Sequence, residues 1–161
     1  MHKNIDRFDL KILVALQKNA RITTLNLSDE VGLSASPCHT RMRRLEKGGF
    51  VGPYRAEVNI NKLVHTLTAI VPLELSQHEA KHFTAFERAI ANMPEIVECS
   101  AVGGGFDYVL KVVTRDVESY QHLMEGLLKR EIGISRYFSY FVTKPIKKFA
   151  GYSLEALLDQ E

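Results

Sequence analysis

The sequence predicts an α+β chain of two modules, a three-helix unit followed by a βαββαβ unit. Three observations carry that expectation. Before residue 50, apolar residues recur at helical spacing in three short stretches, each with its own cap and stop signals. From Thr66 onward, strand-like and helix-like stretches alternate in the order strand, helix, strand, strand, helix, strand. Charge divides along the same line: residues 1–62 carry 11 Lys and Arg against 6 Asp and Glu, and residues 63–161 carry 10 against 13. The expected division is a first domain over 1–52, a linker strand over 53–65, a βαββαβ domain over 66–147 and a tail over 148–161.

The first helix is read in "DRFDLKILVALQKNA", with Asp6 as N-cap, Ile12, Leu13 and Leu16 on one face, and Asn19 as its end. The second, "TTLNLSDEVG", is capped by Thr23 or Thr24, turns Leu27 and Val31 inward, and stops at Gly32 in a left-handed conformation. The third, "SASPCHTRMRRLEKGG", starts at Ser34 or Ser36, tolerates Pro37 in its first turn, and ends at Gly48 and Gly49. Cys38, Met42 and Leu45 stand at i, i+4, i+7 and form its buried stripe. Ser36, Thr40, Arg43, Arg44 and Lys47 then lie opposite, with His39 and Arg41 on the flanks. Short polar side chains near a helix N-terminus, followed by arginines, suit a helix that enters a DNA major groove. Two helices joined by a tight turn make a helix-turn-helix. A solvated basic face on a small bundle is the plainer reading of the same residues.

After a turn at Gly52-Pro53, the alternation of Tyr54, Ala56, Val58 and Ile60 predicts a strand, either a wing of the helical unit or a connector. The second module opens with the strand "TLTAIVPLEL", in which Pro72 argues for an edge position or a bulge. The helix "SQHEAKHFTAFERAIANM", capped by Ser76, has Phe83, Phe86, Ile90 and Met93 inward. Then come the strands "EIVECSAV" and "FDYVLKVVT", the helix "DVESYQHLMEGLLKR" capped by Asp116, and the strand "ISRYFSYFVT". This order is the ferredoxin-like one, an antiparallel sheet with both helices on one face. The last strand is apolar on both faces, through Tyr137 and Phe141 on one side and Phe138, Tyr140 and Val142 on the other. The face without helices is therefore expected to be covered by another subunit. Gly103, Gly104 and Gly105 lie between two strands and read as a hairpin. A phosphate loop is not supported, because neither glycine fingerprint fits and no helix follows.

The whole chain, 161 residues with 45% hydrophobic and 25% charged, has a globular composition and a net charge of +2. No apolar run approaches the ~18 residues of a membrane span. The polar N-terminus does not read as a secretory signal. Two distant cysteines, Cys38 and Cys99, give no disulfide framework or zinc cluster. His78 and His82 are spaced as a metal pair on a helix, but no third ligand is evident, and a solvated pair is the simpler reading. No acid–base or nucleophilic constellation stands out, so neither an enzyme, a cofactor nor a metal is expected.

"LSASPCHTRMRRLEKGGFV", "IDRFDLKIL-ALQKNARIT" and the glycine hairpin followed by "FDYVLKV" together resemble the leucine-responsive regulator/AsnC family of prokaryotic transcription factors. The resemblance runs in register from Ile5 to about Lys147. It implies a helix-turn-helix DNA-binding domain, winged in type, and a βαββαβ ligand-sensing domain. It also implies a homodimer formed through the sheet, assembly to a higher oligomer such as an octamer, and a cytoplasmic regulator of transcription. Ser34, Ser36, Pro37, His39, Thr40, Arg41, Arg43, Arg44 and Lys47 are the candidate contacts to double-stranded DNA. An amino acid or related effector is expected between dimers, against Gly103, Gly104, Gly105, Phe106 and Asp107 and, on the last strand, Tyr137 and Ser139. Gly105 stands where many relatives have an acid, and Tyr137 and Ser139 where many have threonines. The backbone amides of the three glycines can form a nest for a carboxylate. Asp107 can accept from an ammonium or hold the hairpin. The alternative is an effector-independent, chromatin-architectural protein of the same fold. The tail is expected to hold a short helix with Ser153 as N-cap.

Overall fold

A computed structural model describes residues 5–158 of the chain; the last three residues of the expected tail lie outside them. The chain divides into two compact units. One is drawn from the chain up to Glu57 and again from Lys147 onward, and the other spans Val58–Ile146.

The first unit begins with α1 (Arg7–Lys18), α2 (Thr24–Val31) and α3 (Ala35–Lys47). Asp6 caps α1, accepting from the amides of Phe8 and Asp9, while the Asp9 side chain accepts from the Asp6 amide. That reciprocal capping box satisfies first-turn donors that no helical carbonyl can reach. Thr23, not Thr24, caps α2 through its hydroxyl. Gly32 ends α2 at φ 76°, a left-handed turn that glycine adopts without the Cβ penalty. Ser34 occupies the N-cap position of α3 without a side-chain cap bond. Ile12, Leu16, Leu27, Val31, Cys38 and Leu45 form the buried core, with Leu13 and Met42 half-buried around it. Burial pushes the Cys38 thiol above its ordinary range, as expected of a cysteine in the apolar stripe.

The linker strand expected over 53–65 does not form. Residues 52–59 have no regular structure, and Ile60–Lys62 make one 3₁₀ turn. The alternating side chains Tyr54, Val58 and Ile60 are exposed. No strand lies beside them among the described residues, and alternation without a ladder partner does not make a strand. The tail returns to the helical unit. The Gln17 side-chain amide bonds both backbone groups of Tyr152, accepting from its N–H at 2.7 Å and donating to its carbonyl at 3.2 Å. Lys148 pairs with Glu57 at 2.8 Å. A short α6 (Leu154–Leu158) follows.

The second unit is a sheet of β1 (Leu67–Leu75), β2 (Ile96–Ala101), β3 (Tyr108–Thr114), β4 (Ile134–Tyr137) and β5 (Tyr140–Phe141), with α4 (Ala80–Ile90) and α5 (Val117–Leu128). The strand order is β2-β3-β1-β4, with β5 also on β1 and all pairings antiparallel. Ala69, Val71, Leu73 and Leu75 of β1 and Tyr108, Leu110 and Val112 of β3 point to one face. There they pack with Phe86 and Ile90 of α4 and Tyr120, Met124 and Leu127 of α5. Strand alternation sends Thr68, Ile70, Pro72 and Glu74 to the face that carries no helix.

Two expectations are corrected here. Ser76 does not cap the first helix of this unit, whose N-cap position is Glu79. The Ser76 amide instead donates to the Gly133 carbonyl at 2.7 Å, prolonging the pairing of β1 with β4. Pro72 is neither on an edge strand nor at the bulge, for β1 is central and its irregular register with β4 falls between Glu74 and Leu75. The ladder shows why proline is tolerated. Leu73, the next residue, turns its carbonyl toward β3 and accepts from Asp107. Pro72 turns the other way, and its carbonyl accepts from the Phe138 amide at 3.0 Å. The reciprocal bond needs a Pro72 N–H, which does not exist. The last strand is accordingly interrupted at residues 138–139 and continues in the same register as β5.

No described helix is long and apolar enough to cross a membrane.

Candidate functional site

The outward face of α3 matches the expected layout in part. Ser34, Ser36, Pro37, His39, Thr40, Arg43, Arg44 and Lys47 are exposed. Thr40 donates its hydroxyl proton to the Ser36 carbonyl one turn back, leaving its lone pairs outward. Arg43 is 71% exposed and only loosely paired with Glu46, at 3.9 Å. Ser36, Pro37, Thr40, Arg41 and Arg44 line an open concavity of about 430 Å³.

Arg41 and Arg44 are not free cations. Arg41 Nη1 donates to Asp6 Oδ2 at 2.6 Å and to Asp9 Oδ1 at 3.0 Å, and Arg44 Nη2 donates to Asp9 Oδ2. Asp9 is fully buried, Arg41 is 28% exposed and Arg44 53%. The Arg41 guanidinium also lies 5.6 Å from the centre of the Phe8 ring. Burial raises the Asp6 carboxyl, but hydrogen bonds from the Asp9 amide, Arg41 and the Phe8 amide outweigh it and hold the group below its ordinary value. The same hydrogen bonds to Asp6 and Asp9 raise Arg41. The sequence reading missed this acid–base cluster. Its signal was present in the Asp-x-x-Asp start of α1, which places two carboxylates at the end of a helix that must pack on α3.

The hairpin of the sheet unit closes with the Val102 amide donating to the Asp107 carbonyl at 2.9 Å. Of its three glycines only Gly104 has positive φ, 133°. A Cβ at Gly103, Gly104 or Gly105 would meet nothing within 4 Å, so the loop faces open space. Among the described residues, no backbone carbonyl accepts from these three amides. Asp107 is committed: its Oδ2 accepts from the Leu75 amide at 2.7 Å and faces His78 Nε2 at 3.2 Å. It ties the end of β1 to the hairpin, and it gives a carboxylate partner to His78, which was expected to form a solvated pair with His82.

Tyr108 and Tyr137 both pair with Leu73, from opposite sides of β1, which puts the hairpin and the last strand at one end of the sheet. The expected effector residues divide there. Tyr137 shares the helix-covered face and packs on the core. Ser139 and the Tyr120 hydroxyl share a short hydrogen bond. Phe106 instead meets Phe138 edge-on at 5.8 Å, and Arg136 lies over both rings at 5.9 and 5.7 Å. Arg136 is in turn paired with Glu74 at 2.7 Å. Phe138 and Arg136 were missed in the sequence reading, though strand parity sets them on the face opposite Tyr137.

Residues 68–151 match the family described as Lrp/AsnC ligand binding domain, and residues 5–51 match winged helix-turn-helix DNA-binding. The transcriptional regulatory protein DoeX of Halomonas elongata is 44% identical over 144 residues, covering 89% of this chain and 91% of that protein. The leucine-responsive regulatory protein of Escherichia coli is 38% identical over 146 residues, covering 91% and 89%. A Neisseria meningitidis transcriptional regulator, crystallised as an L-Met complex, superposes with TM-score 0.87 at 32% identity, covering 96% of this chain and 99% of the other.

Proposed function

This chain belongs to the Lrp/AsnC family of transcriptional regulators, and from that premise we propose that α3 reads operator DNA while an amino acid bound at the glycine hairpin modulates the response. The exposed face of α3 carries the first half of the reading. Ser34, Ser36, Pro37, His39 and Thr40 offer short groups to base edges near the helix start, and Arg43, Arg44 and Lys47 reach phosphate or guanine further along. Arg41 contributes from the flank.

The open hairpin supports the second half. The amides of Gly103, Gly104 and Gly105 suit an effector carboxylate. Phe106 and Phe138 offer apolar walls for its side chain. Asp107 is a partner already shared with the Leu75 amide and His78, and Gly105 adds no carboxylate. Ammonium recognition therefore draws on groups beyond the hairpin of one copy, which fits a cleft completed between dimers. The L-Met complex of the Neisseria regulator supports the amino-acid class. The helix-free sheet face exposes Phe138, Tyr140 and Val142 and suits a homodimer that assembles further, as an octamer for example. Such a regulator carries out no catalysis and works in the cytoplasm, where its DNA is.

The committed Asp107 favours a second reading, an architectural DNA-binding protein without effector. Titration of the full chain with each of the common amino acids, by calorimetry and by DNA mobility shift, separates the two. Heat and a changed DNA affinity with one or a few of them support the sensor. No response to any of them replaces it with the architectural reading.

A further inference from the structure

Asp9 lies on α1, outside the helix assigned to DNA, yet its carboxylate is wholly buried and meets two arginines of that helix. Both oxygens are used. Oδ1 accepts from Arg41, and Oδ2 accepts from Arg44 and from the Asp6 amide at 3.0 Å. Asp6 adds a second acceptor for Arg41. A buried ion cluster is a poor means of gaining stability, since apolar residues of the same volume do as well or better. What such a cluster supplies is direction, because Arg41 is tied through Nη1 to two acids and Arg44 through Nη2 to one, which holds each guanidinium from one end. Two of the four cations on α3, Arg41 and Arg44, are held and neutralised in this way. Neither acid reaches the other two: Arg43 is 71% exposed and only loosely paired with Glu46, and Lys47 is exposed.

We infer that Asp9, seconded by Asp6, is a positioning residue for the DNA-contacting face: it aims Arg41 and Arg44 across the concavity shared with Ser36, Pro37 and Thr40, and cancels their charge. The inference rests on α3 meeting DNA. A fixed fork discriminates between base edges or between phosphate positions, whereas a loose arginine grips any phosphate. The cluster thus divides the work of α3. Arg43 and Lys47 supply attraction that is blind to sequence, and Arg41 and Arg44 supply geometry. Removing an acid while keeping its volume should convert a reading arginine into a gripping one.

The test uses the full chain. The wild-type protein selects duplexes of about 30 base pairs, three helical turns, from a random pool. Binding of a selected duplex and of a scrambled duplex is then followed by fluorescence anisotropy over a range of salt. The variants are Asp9→Asn, Asp6→Asn and Arg43→Ala, each checked by thermal melting. Asp6→Asn keeps the helix cap, because Asn caps as well as Asp, so it decides the matter even where Asp9→Asn does not fold. The expected result for both Asn variants is tighter binding to the scrambled duplex and a salt slope steeper by up to about 0.9 per released arginine. The ratio of selected to scrambled affinity falls about fivefold or more for Asp9→Asn, and less for Asp6→Asn. Arg43→Ala should do the reverse, with a shallower slope and the ratio kept. Wild-type slopes and ratios in Asp6→Asn and in any folded Asp9→Asn overturn the inference. So does an equal loss on both duplexes at unchanged slope, the mark of an acid that only holds the fold. A wild-type chain that selects no sequence overturns the DNA-binding reading, and this inference with it, before any variant is made.

Discussion

The helical unit and the sheet unit handle polar and apolar groups in opposite ways. In the helical unit a carboxylate is taken wholly out of water and surrounded by donors, while its apolar side chains close a core around Leu27, Val31, Cys38 and Leu45. In the sheet unit one face closes under two helices, and the other leaves Phe138, Tyr140 and Val142 in solvent. The difference teaches that one unit closes a core around a buried carboxylate and turns a polar, oriented surface outward on α3. The other leaves aromatic surface in water on its helix-free face, and burying such surface is worth kilocalories.

The largest expected break in this comparison comes from the open face. Tyr140→Glu, on a side chain 58% exposed in one copy, should leave the fold intact by circular dichroism and turn the sedimenting species into a monomer. An unchanged assembly would show that the helix-free face is not where copies meet. Next in size is Asp9→Ala, which leaves two arginines around a lost acid. Its cost should be about 3 kcal/mol in chemical denaturation, the low end for breaking a buried pair, since both arginines remain partly solvated. Thr23→Ala, at the start of α2, should cost about 1 kcal/mol by removing the hydroxyl that accepts from the Asn26 amide. The smallest effect is one of pH. Asp6 is held below its ordinary value of 3.8 in the folded chain, so its contribution is fully present above that value and is lost as the pH falls below it. The difference in melting temperature between wild type and Asp6→Asn should therefore shrink on acidification below about pH 4. A gap that stays constant down to pH 2 would separate Asp6 from the clamp.

Local signals were legible wherever the physics is local. Asp6, Thr23, Gly32 and Asp116 all cap or stop helices as the sequence implied, since each acts on amides or carbonyls within four residues. The failures are those of partnership. Tyr54 to Ile60 alternates like a strand and has no strand to pair with. Pro72 looked like an edge residue because periodicity does not say which neighbour loses the hydrogen bond. Ser76 has the chemistry of a cap, but its backbone still belongs to the sheet and α4 begins only after Glu79. The candidate DNA face was legible as a set of residues and not as an electrostatic object. That Arg41 and Arg44 answer to Asp6 and Asp9 depends on a helix crossing more than thirty residues distant in the chain. The hairpin was legible as a turn, whereas the commitment of Asp107 to Leu75 and His78 required the sheet.

The return of the tail to the helical unit has a consequence for synthesis. The core of that unit is complete by Val51, so its helices can pack while the sheet unit is still being translated. Gln17 must wait for Tyr152, which leaves the ribosome only after every strand of the sheet. A chain released early would carry a folded helix-turn-helix with an unfilled seat at Gln17. Docking of the tail there is thus a record, written on the DNA-binding unit itself, that the sensing unit has been made.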